Sequence, residues 1–284
     1  MAIDISFLDN LKKFSLIVNK RVTSIYSGQK LSTSAGQGIS FRDHRIYSWG
    51  DDFRSVDWKV YARTDDLYIK NFEEERNLNV HILVDYSASM NFGSPISKFD
   101  YAAMLGLGFA YLSMKDNEKF QFATFSEDMN LFQARKGMHQ LAAMVDHLNN
   151  LKVDGKTDLF KTIASYKKLI GTRSLIIIVS DLLYDPEQIK DALLMLGKHD
   201  IKLIQVLDRQ EKDINLEGDF NLKDAESSDQ LRTFISPRLV QNYTHMLEDH
   251  TSKINEICNT LGVKFYQVTT DKPIFDTFYE LLKR

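Results

Sequence analysis

Asp85, Ser87 and Ser89 fall at alternate positions in Asp85-Tyr86-Ser87-Ala88-Ser89-Met90. They lie directly behind Asn79-Val80-His81-Ile82-Leu83-Val84, an apolar run with the length of a buried strand. A carboxylate and two hydroxyls offered where a strand ends are hard oxygen ligands, the kind magnesium takes. Two further oxygen donors follow: Thr157 in Gly155-Lys156-Thr157-Asp158, and Asp181 directly after Ser174-Leu175-Ile176-Ile177-Ile178-Val179-Ser180. The chemistry these five residues offer is coordination of Mg2+ or Mn2+. Two carboxylates held close repel, and a divalent cation removes that penalty. Three hydroxyls and two carboxylates leave at least one position of an octahedral ion open to an outside carboxylate. A D-x-S-x-S run alone is weak evidence, because serine and aspartate are common at strand ends and as helix caps. The threonine and the second aspartate, each after the expected element, are what make the set specific. Asp158 is read separately, as favouring the first turn of the next helix through its dipole.

Those donors need elements to position them. From residue 79 the pattern alternates, with strands expected at 79–85, 119–125, 130–135, 174–180, 201–207 and 263–268. Helices are expected at 97–114, 138–149, 158–169, 186–198, 238–261 and 274–283. Such alternation predicts an α/β fold: a doubly wound, mostly parallel six-stranded sheet with helices on both faces. The link Ser126-Glu127-Asp128-Met129 is too short for a crossover helix, so one edge strand runs antiparallel. In an open sheet of this kind ligands bind beyond the carboxyl ends of the strands, where the strand order reverses. If Asp85 and Asp181 end neighbouring strands, they meet there.

Two segments stand outside the repeat. Residues 1–76 read as an N-terminal extension packed on the core. In it, Leu8, Leu11, Phe14, Ile17 and Val18 mark an amphipathic helix over 7–22. A hairpin follows, its strands at 53–62 and 67–72, because Val56, Trp58 and Val60 alternate with polar residues. Residues 77–284 form the main domain, with a smaller hairpin inserted at 209–237.

Composition sets the outer limits. The chain has 284 residues, 43% hydrophobic and 26% charged, with net charge -3. That is a globular composition with no overall basic field for nucleic acid. The single cysteine, Cys258, has helical neighbours and reads as a small buried residue. No run approaches the roughly 20 apolar residues of a membrane span. The N-terminus lacks the charged and apolar regions of a signal peptide, and a cytoplasmic location is expected.

Two resemblances follow from these residues. The five oxygen ligands resemble the metal-ion-dependent adhesion site of von Willebrand factor A domains. The segment Phe41 to Thr64 is similar to the signature of a prokaryotic family called domain of unknown function 58. The matching core is Tyr47, Gly50-Asp51-Asp52, Arg54, Asp57-Trp58-Lys59 and Ala62-Arg63-Thr64, and Phe72-Glu73-Glu74-Glu75-Arg76 continues it. The resemblance implies a von Willebrand A-like domain with an N-terminal extension. It implies company as well: such proteins are typically encoded beside MoxR-type AAA+ ATPases, thought to mature or assemble other proteins. One departure is Lys156, which stands where many relatives have a second glycine before the threonine.

The expected function is therefore a metal-dependent protein-binding adaptor, not an enzyme, whose partner supplies a carboxylate to the ion. The alternative is a metal-assisted hydrolase or phosphotransferase using Asp85 and Asp181. An aspartyl phosphotransferase would want a second acid where Ser87 stands, and no HExxH, GxSxG or P-loop occurs. His81, inside a strand, reads as a satisfied core residue. Arg54, Asp57, Trp58, Lys59 and Arg63 are a second candidate partner surface, or else an ion-pair network that holds the hairpin. Nucleic-acid binding there is disfavoured, because interleaved Asp43, Asp51, Asp52, Asp57, Asp65 and Asp66 cancel most of the positive field. Asp85→Ala is expected to leave the fold largely intact, since relieving a like-charge pair does not open the core.

Overall fold

The computed structural model describes residues 3, 6–14, 40–73, 79–132, 138–214, 216–223 and 230–282. The chain divides into two compact units, residues 16–77 and residues 1–15 with 78–284.

The smaller unit is built on an antiparallel pair, β1 (Ser40–Ile46) and β2 (Tyr68–Glu73). The first strand is not the one expected. Residues 53–62 do not form a strand: Phe53–Ser55 is a short 3-10 turn, and α2 spans Trp58–Thr64. Val56 forms an isolated bridge to Ile69, and the Asp57 N–H donates to the Tyr68 C=O at 2.8 Å. Asp57 decides this locally, since its side chain accepts from the Lys59 N–H and caps the helix. Asp65, left-handed at φ 59°, ends it.

In the larger unit, α1 (residues 6–14) belongs with the core rather than with the hairpin, although the two were expected to form one extension. Phe7 stacks on Phe275 with centroids 5.8 Å apart, and Phe14 packs on Phe278 at 6.1 Å. The expected continuation of this helix to residue 22 lies outside the described residues, as do 133–135 of the fifth expected strand.

The main sheet holds β3 (Asn79–Asp85), β4 (Lys119–Phe125), β5 (Met129–Phe132), β6 (Ser174–Ser180), β7 (Asp200–Leu207) and β10 (Lys264–Thr269). Their order is β10-β7-β6-β3-β4-β5, with β5 antiparallel and the rest parallel. This is the doubly wound order, and it reverses between β3 and β6. β3 is buried from Val80 onward, as a strand covered on both faces must be.

On one face lie α3 (Lys98–Lys115), α4 (Met138–Asn150) and α9 (Ile274–Leu282). The other carries α5 (Leu159–Tyr166), α6 (Pro186–Met195) and the C-terminal half of α8 (Pro237–Leu261). There Ile163, Tyr166, Ile189, Leu193, Ile254 and Cys258 pack on Leu83, Ile176, Ile178 and Leu203. Between β7 and α8 stand one short helical turn, α7 (Arg209–Lys212), and the inserted hairpin of β8 (Gly218–Lys223) and β9 (Gln230–Ile235). Among the described residues, no helix is long and apolar enough to cross a membrane.

Candidate metal centre

Because β3 and β6 are neighbours in register, Val84 opposite Val179, their carboxyl ends arrive side by side. Asp85 is fully buried and Asp181 is 1% exposed. The loop after Asp85 turns at once: the Ser87 N–H donates to Asp85 Oδ1 at 2.9 Å. That turn sets the Ser87 and Ser89 hydroxyls 3.1 Å apart. The third piece is tied to the same loop by backbone, Ala88 N–H to Gly155 C=O at 3.0 Å. Gly155 makes this possible with φ 88°, a conformation few other residues adopt. Thr157 Oγ1 then donates to Asp85 Oδ1 at 3.3 Å.

The five expected residues therefore come from three separate stretches of chain to one end of the sheet. Lys156 is exposed and turned to solvent. Asp158 caps α5 by accepting from the Lys161 N–H at 2.9 Å. His81 is buried, its Nδ1 2.8 Å from the Tyr166 hydroxyl.

Four residues at this site escaped the sequence reading. Ser180 donates to Asp85 Oδ2 at 2.7 Å, and the Tyr184 hydroxyl donates to the same oxygen. The Lys98 ammonium donates to Asp181 Oδ2 at 2.9 Å and to Glu211 Oε1 at 2.7 Å, and its side chain has no exposed surface. A signal for Lys98 did exist. It is the first residue of α3, behind the cap Ser97, where a helix dipole disfavours a cation. A lysine there needs carboxylates to hold it.

The electrostatics follow from burial. Loss of water pushes the Asp85 carboxyl above its ordinary range, and the neighbouring charge of Asp181 pushes the same way. Hydrogen bonds from Tyr184, Ser87 and Ser180 offset only part of this. Burial and the charge of Asp85 raise the Tyr184 phenol well above 10, which keeps it a donor. Burial lowers the Lys98 ammonium, but Asp181 and Glu211 outweigh it, and the net direction is up. Leu182 follows Asp181 at φ 54°, in the left-handed region, although it is fully buried. Its N–H donates to Ser180 Oγ at 3.1 Å, and its C=O lies 2.8 Å from His250 Nε2. A side chain larger than glycine held there is strain of the sort found at functional sites.

The donor set fits a hard divalent ion. Among the described residues, no group of three or more His, Cys, Asp or Glu side chains is placed to hold a metal by itself. Hydroxyls and water would therefore complete the coordination around one or two carboxylates, as magnesium tolerates.

The family profile described as "Protein of unknown function DUF58" matches residues 43–253. The chain belongs to this family. Its relatives include uncharacterized protein Rv1480 of Mycobacterium tuberculosis, 24% identical over 92% of this chain and 84% of that one. YeaD of Bacillus subtilis is 28% identical over 37% of this chain and 24% of its own length. Among solved structures, BatB from Bacteroides thetaiotaomicron superposes with TM-score 0.42 at 14% identity, covering 73% of this chain and all of that one. Proximal thread matrix protein 1 of the mussel byssus, described with a zinc-occupied MIDAS motif, gives 0.38 at 13% identity, over 73% of this chain and 44% of that one. The sheet order and the antiparallel edge strand make the main domain of this DUF58 chain a doubly wound, mostly parallel α/β domain.

The second candidate surface separates by role. In the smaller unit Asp57 is only 7% exposed. It lies 2.9 Å from His44 Nε2 and 3.5 Å from Lys70 Nζ, and caps α2, so its contacts hold the fold together. The hydrogen bond from His44 draws its carboxyl down to about 2. Arg54, Lys59 and Arg63 are exposed, and Trp58 is 54% exposed, between Phe53 and Tyr61.

Proposed function

We propose that this protein is a metal-ion-dependent protein-binding adaptor. Asp85, Ser87, Ser89, Thr157 and Asp181 would hold Mg2+ or Mn2+, directly or through water, and a partner carboxylate would take the open position. The observation that carries this reading is the convergence of those five oxygen donors at the switch point between β3 and β6. A bound divalent ion would supply a strong local positive charge there. The chain's own residues would do the rest. Ser180 and Tyr184 fix the orientation of Asp85, and the Gly155 carbonyl pins the loop that carries Ser87 and Ser89.

A non-catalytic role is favoured because the hydrogen-bonding groups around Asp85 are all committed to it. Tyr184 is held as a donor and Lys98 is bound between carboxylates, so neither is poised as a base. By family resemblance, the partner system would be a MoxR-type AAA+ ATPase and the proteins it assembles, in the cytoplasm. Arg54, Trp58, Lys59 and Arg63 are proposed as a second, metal-independent contact surface.

The test is capture of partners from native lysate by the full chain, in millimolar Mg2+ and in EDTA, with Asp85→Asn alongside. A partner held by the wild type in Mg2+, and lost in both other arms, supports the adaptor. A partner held equally in all three places binding elsewhere. Turnover of phosphate or ester substrates, abolished by Asp85→Asn, would replace the adaptor with the hydrolase.

A further inference from the structure

A buried lysine is unfavourable unless it is paired, and Lys98 is paired twice. The three groups come from different elements: Lys98 from the start of α3, Asp181 from the end of β6, Glu211 from α7. Glu211 is itself held in place, its second carboxylate oxygen accepting from the Asp208 N–H at 2.9 Å. Asp181 is held less completely. Oδ2 is taken by Lys98, while among the described residues Oδ1 accepts only a long bond from the Leu183 N–H at 3.4 Å. The lysine is therefore clamped between one carboxylate of the metal site and one outside it.

The charges give this clamp a direction. Asp85 and Asp181 at the ends of adjacent strands repel, and without an ion Lys98 is the cation that compensates them. An incoming divalent ion meets that same positive charge one carboxylate away, which opposes its binding. Glu211 acts in the opposite sense. It draws the ammonium away from Asp181 and adds negative charge behind it.

We propose that Lys98 is a resident counter-cation of the metal site. It holds Asp181 when no ion is bound, and it shifts its pairing toward Glu211 when an ion takes that carboxylate. Ion binding by the chain alone is thereby kept weak and reversible, so that a partner's carboxylate is needed to secure it. This rests on the metal-site reading above.

The experiment is calorimetric titration of the full chain with MnCl2, comparing wild type, Lys98→Met and Glu211→Gln, with melting curves in EDTA. Methionine keeps most of the lysine volume without its charge. Lys98→Met is expected to bind Mn2+ about tenfold tighter or more, and to melt earlier than wild type in EDTA. Glu211→Gln keeps the cap on Asp208 and is expected to bind about tenfold weaker. A purely structural lysine would lower stability in both variants without moving the affinities in opposite directions. Unchanged or weaker binding by Lys98→Met overturns the proposal. If that variant does not fold, Glu211→Gln decides, and unchanged or tighter binding there overturns it. Wild-type binding unaltered by either change sinks the counter-cation alone, whereas no Mn2+ binding by any of the three proteins sinks the metal site with it.

Discussion

Ser180 donates its hydroxyl to Asp85 Oδ2 at 2.7 Å, one step beyond the last paired residues of β3 and β6. The ends of two adjacent parallel strands are thus joined by a side-chain bond, and Asp85 is where they join. It also accepts from Ser87, Thr157 and Tyr184. Relief of repulsion is therefore not the whole effect of removing it. Asp85→Ala leaves buried donors without an acceptor and is expected to lower stability by about 3 kcal/mol. Asp85→Asn keeps the volume and one acceptor, and is expected to lose about 1 kcal/mol. Urea unfolding in EDTA measures both, and equal losses would contradict this account of the joint.

Thr157 offers the converse case. Its hydroxyl makes a long 3.3 Å bond to Asp85, and its loop is held by Gly155 rather than by the threonine. Thr157→Ala is expected to change stability in EDTA by less than about 1 kcal/mol. The stabilisation that Mg2+ adds should fall sharply. Melting temperatures with and without Mg2+ separate the two effects.

A pH dependence follows from His81. Burial holds its folded pKa down to about 4, against an ordinary value of 6.5, with the charge of His199 contributing. Between those values the unfolded chain binds the extra proton, so stability rises with pH. The contribution is complete above about 6.5 and is lost as pH falls towards 4. Chemical denaturation at pH 7.5 and 5 should show a smaller difference in His81→Leu than in wild type.

Gly108 sets the contact between α3 and α9. A Cβ there would lie 1.9 Å from Phe278 Cζ. Alanine gains about 1 kcal/mol of helix propensity over glycine, but the overlap forces a fully buried ring to move. Gly108→Ala is expected to be destabilising by about 2 kcal/mol net. Phe278→Leu in the same chain should recover part of that loss in urea titrations.

The main sheet was legible because its strands are buried on both faces and its crossovers leave room for helices. Ser174–Ser180 and Asn79–Asp85 can scarcely be read otherwise. In the smaller unit the strand expected at 67–72 is present as β2, but the alternation over 53–62 is misleading. Val56 is buried, but Trp58 is 54% exposed, and the Asp57 cap outweighs the pattern. The true first strand, Ser40–Ile46, carries Arg42, Asp43, His44 and Arg45 in succession and shows no apolar face. At the site, the residues at strand ends could be read from the sequence. Lys98 and Glu211 could not, since their pairing spans α3, β6 and α7 and depends on the three-dimensional arrangement. The cation at the first position of a helix was the available clue.

The proposed metal site requires one divalent ion between Asp85, Thr157 and Asp181. Electron paramagnetic resonance of free Mn2+, titrated with the full chain, tests it directly. Wild type is expected to remove the free-ion signal with one site per chain. No such loss is expected in Asp85→Asn, and Mg2+ should compete in wild type. Equal Mn2+ uptake by wild type and Asp85→Asn, or none by either, would contradict the proposed site.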